Sequence, residues 1–310
     1  MNLDYLIQRL IGRATCRLRA DAALGRARKR AGSRFALLFH DTHHRAVSDP
    51  EAIRRFDLEG YDGVLAFGEA LAEVYRRWGW GGRVWVWHEA ADTRLFRPPE
   101  REGPREGLVW IGNWGDGERT EELESFLFRP ARDAGQPLDI YGVRYPAEAL
   151  ATLDRYGVRY HGWAPNAAAP GIFARHMATV HVPRRFYTTV LPGIPTIRVF
   201  EALACGIPLV SAPWQDSENL FRPGEDYLVA TNGDAMTRHL AALIADPALR
   251  ANLVASGLET IRDVGCASCH KIPGVAWPEG RTASDLAGFG ARPMIAGRLP
   301  NQPDVLVRWL

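Results

Sequence analysis

Several short clusters in this chain combine residue types that can do chemistry. His40-Asp41-Thr42-His43-His44-Arg45 gathers three imidazoles and a carboxylate behind the apolar run FALLF. The His40-x-x-His43 spacing permits a metal, but three ligands on one loop lack a distant fourth. Gly112-Asn113-Trp114-Gly115-Asp116-Gly117 is a glycine-rich turn behind the apolar run GLVWI. Arg184 and Arg185 are adjacent guanidinium groups, which pair bidentately with phosphate. Glu201 lies in the segment GIPTIRVFEALACGIPLVSAPW, where a carboxylate could accept two hydroxyl donors at once. Cys266-Ala267-Ser268-Cys269-His270 is a CxxCH motif. Two thiols at that spacing can add to the vinyl groups of heme, and the histidine can ligate the iron.

These residues need elements to hold them. Apolar runs at 35–39, 63–67 and 83–87 read as strands, with a helical pattern at 69–78. That βαβ rhythm implies a parallel sheet with ligands at the carboxyl ends of its strands. Residues 92–104 are polar, charged and proline-rich, so they read as a linker. A second βα series follows, with strands expected at 107–111, 138–142, 158–160, 178–182 and 208–212. Helices are expected at 118–134, 146–156, 167–176 and 196–205, and a helical tail at 234–256. The fold class is therefore α/β, with two Rossmann-type lobes around a cleft.

The run FEALACG resembles the donor-binding segment of retaining GT-B glycosyltransferases of family 4. LLFHDTHHR, YDGVLAFGE, WHEAADTRLFRP, VWIGNWGD, YGVRYP and HVPRRFY follow in one colinear order. Together they resemble the bacterial glycosyltransferases related to spore maturation protein CgeB, over about residues 25–260. The resemblance implies a nucleotide-diphospho-sugar donor, retention of configuration and no required cofactor. It places Gly112 and Asn113 at the donor phosphates, Arg184 and Arg185 as a diphosphate clamp, Trp163 beside the base and Glu201 on the ribose. His40, Asp41, His43 and His44 would face the cleft as the catalytic side of an unknown acceptor's site. The family's E-x7-E pair has Gly193 at its first position, and against the family's pattern the first lobe is expected to lack its opening strands.

Each of these features also has a plainer reading. Glu201 could be a solvated helix residue, the arginine pair surface charge and the glycines turn residues. Cys205 fits a helix-packing slot, and Trp78, Trp80, Trp85 and Trp87 suit lobe packing better than a sugar platform.

The end of the chain has another texture. DVGCASCHKIPGV, DLAGFGAR, IAGRLPN and LVRWL resemble part of a class I cytochrome c. That resemblance implies heme c attached at Cys266 and Cys269, with His270 as the proximal iron ligand. The family's distal methionine would lie past LVRWL, and Met294 is not its equivalent.

Composition bounds these expectations. The 310 residues are 46% hydrophobic and 24% charged, ordinary for a globular protein. A net charge of +2 argues against nucleic acid as a partner. No run approaches the ~20 apolar residues of a membrane span. Four cysteines exclude a disulfide scaffold. The basic first 34 residues have no apolar signal core, so a cytoplasmic location is expected, in tension with a heme motif that would need export. The expected organisation is a basic leader at 1–34, a partial acceptor-side lobe and hinge at 35–98, a donor lobe at 99–256 and a small α-helical cytochrome c-like fragment at 257–310. The expected function is sugar transfer. A heme electron carrier is the alternative, and an inactive fusion remnant the third reading.

Overall fold

A computed structural model describes residues 38–56, 58, 61–101, 103–115, 117–263, 294–295 and 299–300. The first lobe is a three-stranded parallel sheet of β1 (Leu38–Asp41), β2 (Gly63–Ala66) and β3 (Val84–Val86), in that spatial order. Between β1 and β2 come two short helices, α1 (Arg45–Ser48) and α2 (Pro50–Arg54). Asp49 caps α2 by accepting the Ala52 N–H at 3.2 Å, and Pro50 supplies the preset φ of its first turn. Helix α3 (Glu69–Tyr75) presents Leu71, Ala72, Val74 and Tyr75 to the sheet. It loosens into a π-helical turn at Arg76–Trp80, where Gly79 adopts a left-handed φ of 94°. That conformation costs glycine little and ends the helix before β3.

The second lobe is a six-stranded sheet of β4 (Leu108–Ile111), β5 (Leu138–Tyr141), β6 (Arg159–Gly162), β7 (Ala178–His181), β8 (Leu209–Ser211) and β9 (Leu228–Val229). All its pairings are parallel, and the spatial order is β6-β5-β4-β7-β8-β9. The chain builds outward from β4 through β6, then crosses back to place β7 on the other side of β4. This reversal is a topological switch point, and such sheets bind ligands outside the carboxyl ends of the two strands there.

The interior strands are largely apolar because helices cover both faces, while the edge strand β6 is polar and mostly exposed. Leu108 and Trp110 point into one core, with helices α4 (Thr120–Leu123) and α5 (Arg129–Asp133), joined by a π-helical turn at Glu124–Phe128. Helices α6 (Ala147–Arg155) and α10 (Gly233–Ala245) close that side. Val109 points to the opposite core, with α7 (Ala169–Phe173) and α9 (Ile197–Ala204). Phe96, from the stretch expected to be a linker, and Ala91 just before it are buried in this second core. A third core belongs to the first lobe but takes in Tyr187, Leu191 and Ile194 from the second. Tyr187 lies on α8 (Arg185–Thr189), which follows β7.

The helical tail expected at 234–256 is two helices. Asp246 ends α10, and its carboxylate accepts the N–H groups of Ala248 and Leu249 to start α11 (Pro247–Asp263). The boundary expected near Gly257 falls inside α11. Gly257 is buried, and a Cβ there would lie 2.9 Å from the Leu203 side chain on α9. Of the expected cytochrome-like fragment at 257–310, the end of α11 to Asp263 and the antiparallel pair β10 (Met294–Ile295) and β11 (Leu299–Pro300) are described. Cys266, Cys269 and His270 lie outside the described residues, and so does the basic leader. Among the described residues no helix is long and apolar enough to cross a membrane.

Candidate functional site

The switch point sets the site. Beyond β4, the turn at Gly112 and Asn113 is pinned to the turn after β5. Asn113 Oδ1 accepts the Val143 N–H at 3.0 Å, and the Tyr145 hydroxyl donates to the Gly112 carbonyl at 2.9 Å. The two backbones pass so closely that a Cβ on Gly142 would sit 1.9 Å from the Gly112 carbonyl oxygen. Only glycine fits there.

Two cavities open on either side of this turn. The cleft cavity, about 240 Å³, lies between the lobes, and its lining includes Thr42, His43, Glu89, Gly112, Arg119 and Arg184. The second, about 380 Å³, belongs to the second lobe, with Asn113, Tyr141, Trp163, Asn166 and Ala169 in its wall. Ile111, Gly112 and Arg198 line both. Trp163 is 55% exposed, so its indole face is open to a ligand.

Three guanidinium groups line the cleft cavity: Arg119, Arg184 and Arg198. Arg119 donates to the Val182 carbonyl at 2.7 Å and the Asn113 carbonyl at 2.6 Å, with its guanidinium 5.1 Å over the Trp110 ring. Its Nε is buried without a hydrogen-bond partner. Burial, and then the neighbouring Arg184 charge, push its pKa down to about 10. Arg184 is held by Glu118 through Nε. The N-terminus of α9 enters the same cavity through Thr196 and Ile197.

His181, at the end of β7, orders this corner. Its Nδ1 lies 2.9 Å from Ser211 Oγ and its Nε2 3.0 Å from Thr196 Oγ1. Burial, reinforced by the Arg119 charge, pushes its pKa down to about 3, so the ring is neutral. It holds Thr196 in place at the mouth of α9.

The expected residues divide. Gly112, Arg184 and His43 line the cleft cavity, and Asn113 and Trp163 line the second. Arg185 does not line either; it is exposed and pairs with Glu122 on α4 at 2.9 Å. The helix that begins at Arg185 turns its side chain away from Arg184's. Glu201 is 1% exposed and paired with Arg198, one turn earlier on α9. Burial raises its pKa, against the pull of Arg198 and a hydrogen bond from Asn166.

On the first lobe, Asp41 is buried and accepts the Tyr75 hydroxyl at 2.8 Å and the His43 N–H at 3.1 Å. It shapes the loop that carries His43. His44 is also buried and stacks on Phe186 of the other lobe at 4.3 Å. Burial, with the charges of His43, Arg184 and Arg45 behind it, pushes its pKa down to about 3. His40 is exposed at the end of β1 and lines neither cavity. Among the described residues no group of three His, Cys, Asp or Glu side chains is placed to hold a metal ion. Gly193 has φ 87°, and a Cβ there would lie 1.7 Å from Ser217 Oγ, so no side chain can project from that position.

Arg119, Arg198 and Glu89 line the cleft cavity although sequence reasoning assigned none of them a role; Arg198 and Glu89 lie within the FEALACG-bearing segment and WHEAADTRLFRP, and Arg119 lies outside every such motif. Arg119 stands in the charged stretch GERTEE and looks like helix surface. Its one visible signal is its place just after a glycine-rich turn that follows a strand.

The sequence of residues 119–264 matches the family described as "Glycosyl transferase-like". No curated protein matches the chain. Solved structures that resemble it include TarM of S. aureus, in complex with fondaparinux, alpha-GlcNAc-glycerol and UDP, at 14% identity and a TM-score of 0.54 over 73% of this chain and 47% of that one. HepE of Anabaena, in complex with UDP and glucose, is 15% identical, with a TM-score of 0.57 over 80% of this chain and 72% of that one. Sucrose-phosphate synthase of Thermosynechococcus elongatus is 17% identical, with a TM-score of 0.52 over 77% of this chain and 67% of that one. The chain thus spans about half the length of TarM. At these identities the likeness is one of fold: a GT-B arrangement of two parallel α/β lobes.

Proposed function

We propose that this chain is a glycosyltransferase that takes a nucleoside-diphospho-sugar donor at the switch point of its second lobe. The observation that carries this is the convergence of Arg119, Arg184, Arg198 and the N-terminus of α9 on one interlobe cavity. Guanidinium groups and free helix N–H groups are the chemistry of a diphosphate site. The adjoining cavity, with the exposed Trp163 indole and the Tyr141 ring, suits a nucleobase. Glu201, paired with Arg198 and lining neither cavity, takes the ribose hydroxyls once Arg198 turns to the diphosphate. Relatives in complex with UDP favour a uridine donor as the first probe.

The reaction breaks the bond between the sugar's anomeric carbon and the diphosphate, which leaves with the electron pair. The acceptor oxygen bonds that carbon, and its proton passes to the His43 imidazole, a first-lobe group lining the cavity. Positive charge placed where negative charge develops on the leaving group lowers the barrier. Retention of configuration is part of this reading.

Calorimetric titration with UDP tests it. The wild-type chain is expected to bind UDP, and Arg119→Ala with Arg184→Ala to weaken binding at least tenfold while the protein stays folded. A folded wild-type chain that binds no UDP or other nucleoside diphosphate refutes it.

A further inference from the structure

Glu89, just past β3, is the one acidic side chain lining the cleft cavity among the described residues. Its Oε2 accepts the N–H of Ile197, the first residue of the eight-residue helix α9, at 3.1 Å. Thr196, the residue at that helix's N-cap, makes no side-chain cap of its own. The cap therefore comes from across the cleft. Burial raises the Glu89 pKa, against the pull of the Ile197 hydrogen bond; Glu201 adds to the rise and Arg198 opposes it. The cavity's other cations are Arg119, with its buried unpartnered Nε, and Arg184. Tyr187, buried on α8, also faces Glu89.

A carboxylate on a helix N-terminus, among guanidinium groups, occupies the place an oxyanion ligand would take. One N–H cannot serve both acceptors, and two anions at that distance repel. We propose that Glu89 is a resident anion in the diphosphate subsite, which a ligand phosphate must displace from the Ile197 N–H before the cavity can close on it. The residue thereby sets how strongly the cavity takes an anionic ligand. This rests on the donor-binding reading above. It makes the contact self-inhibitory: the lobe that would receive the acceptor holds the donor's phosphate site in its absence.

The contact has a counterpart outside the cavity. Glu218 of the second lobe accepts the N–H of Glu69, at the start of α3 in the first lobe, at 2.9 Å. Each lobe thus caps a helix of the other, but only the Glu89 contact lies where a ligand would bind.

The test is calorimetric titration of the full chain with inorganic pyrophosphate and, in parallel, with UDP. E89Q keeps the side chain's size and removes its charge; E89A removes the cap altogether. Both are expected to bind pyrophosphate about tenfold more tightly than the wild type, because the subsite no longer holds a charged competitor that the ligand must displace. E218Q, which neutralises the contact outside the cavity, is expected to give no such gain. Equal, weaker or undetectable pyrophosphate binding by folded E89Q and E89A overturns the inference, as does an equal gain in E218Q. A chain in which E89Q tightens pyrophosphate but no variant binds UDP overturns the nucleotide reading alone.

Discussion

Adjacent arginines illustrate how far residue type carries and where it stops. Arg184 and Arg185 are chemically alike, and a sequence offers no way to separate them. The separation comes from a helix start: α8 begins at Arg185 and commits its side chain to Glu122, while Arg184 stays at the cavity wall. Arg119 reaches the same cavity from 65 residues earlier in the chain, because β4 and β7 are neighbours in the sheet. Arg185→Ala is therefore expected to leave UDP affinity within about twofold, because its exposed side chain pairs with Glu122 and lines neither cavity. Arg119→Ala alone is expected to weaken UDP at least tenfold, about 1.4 kcal/mol. Parallel titrations of the two variants check the contrast. Gly193 is the other position where local geometry decides. Gly193→Ala puts a side chain at φ 87° and against Ser217 Oγ, and is expected to cost ~1–3 kcal/mol in denaturant unfolding. Ser217→Gly in the same chain should recover the steric part and leave the strain.

At the scale of elements, what the sequence revealed follows from burial. The interior strands of the second lobe are largely apolar because both faces are covered, and 108–111, 138–141 and 178–181 fall within the expected spans. The two-residue β9 and the five-residue α8 are too short to carry a period, so neither was legible. The π-helical turns at Arg76–Trp80 and Glu124–Phe128 leave the hydrophobic pattern almost unchanged and were invisible for that reason. The tail shows a different failure: its apolar period runs on across Asp246-Pro247, yet the backbone breaks there. Asp246 is the N-cap of α11, and α11 packs on α9, the helix that bears Arg198 and Glu201. Loss of that cap should thus act at a distance from the site. Asp246→Ala is expected to cost ~1 kcal/mol. The midpoint of thermal unfolding should fall by ~2–4 °C, with UDP affinity unchanged. A variant as stable as the wild type would mean that the cap carries no weight in α11.

For the whole molecule, the question is what holds two lobes in register when the cavity between them must admit a ligand. Packing does part of it, since Tyr187, Leu191 and Ile194 are buried in the first lobe's core. The polar part is a latch behind the cleft. His88 donates from Nε2 to Glu218 Oε2 at 3.0 Å, and Glu218 also takes the Glu69 N–H at the head of α3. Burial opposes charge on both partners, but each holds the other charged: Glu218 raises the His88 pKa, and His88 lowers that of Glu218. Asp216 stands nearby, its own pKa raised by burial and by the Glu218 charge. The signs fix a window. The His88 contribution is full below its unfolded pKa of about 6.5 and is lost as pH rises through its higher folded value. The Glu218 contribution is full above its unfolded pKa of about 4.3 and is lost as pH falls through its lower folded value. The latch is thus strongest from about pH 4.3 to 6.5. His88→Gln keeps a donor at the position but cannot carry charge. Hydrogen exchange at the backbone of α3 is expected to be slowest, relative to this variant, inside that window, and to converge with it at alkaline pH. The same difference at every pH would mean that the contact acts as a neutral hydrogen bond and that interlobe closure owes nothing to the His88 charge.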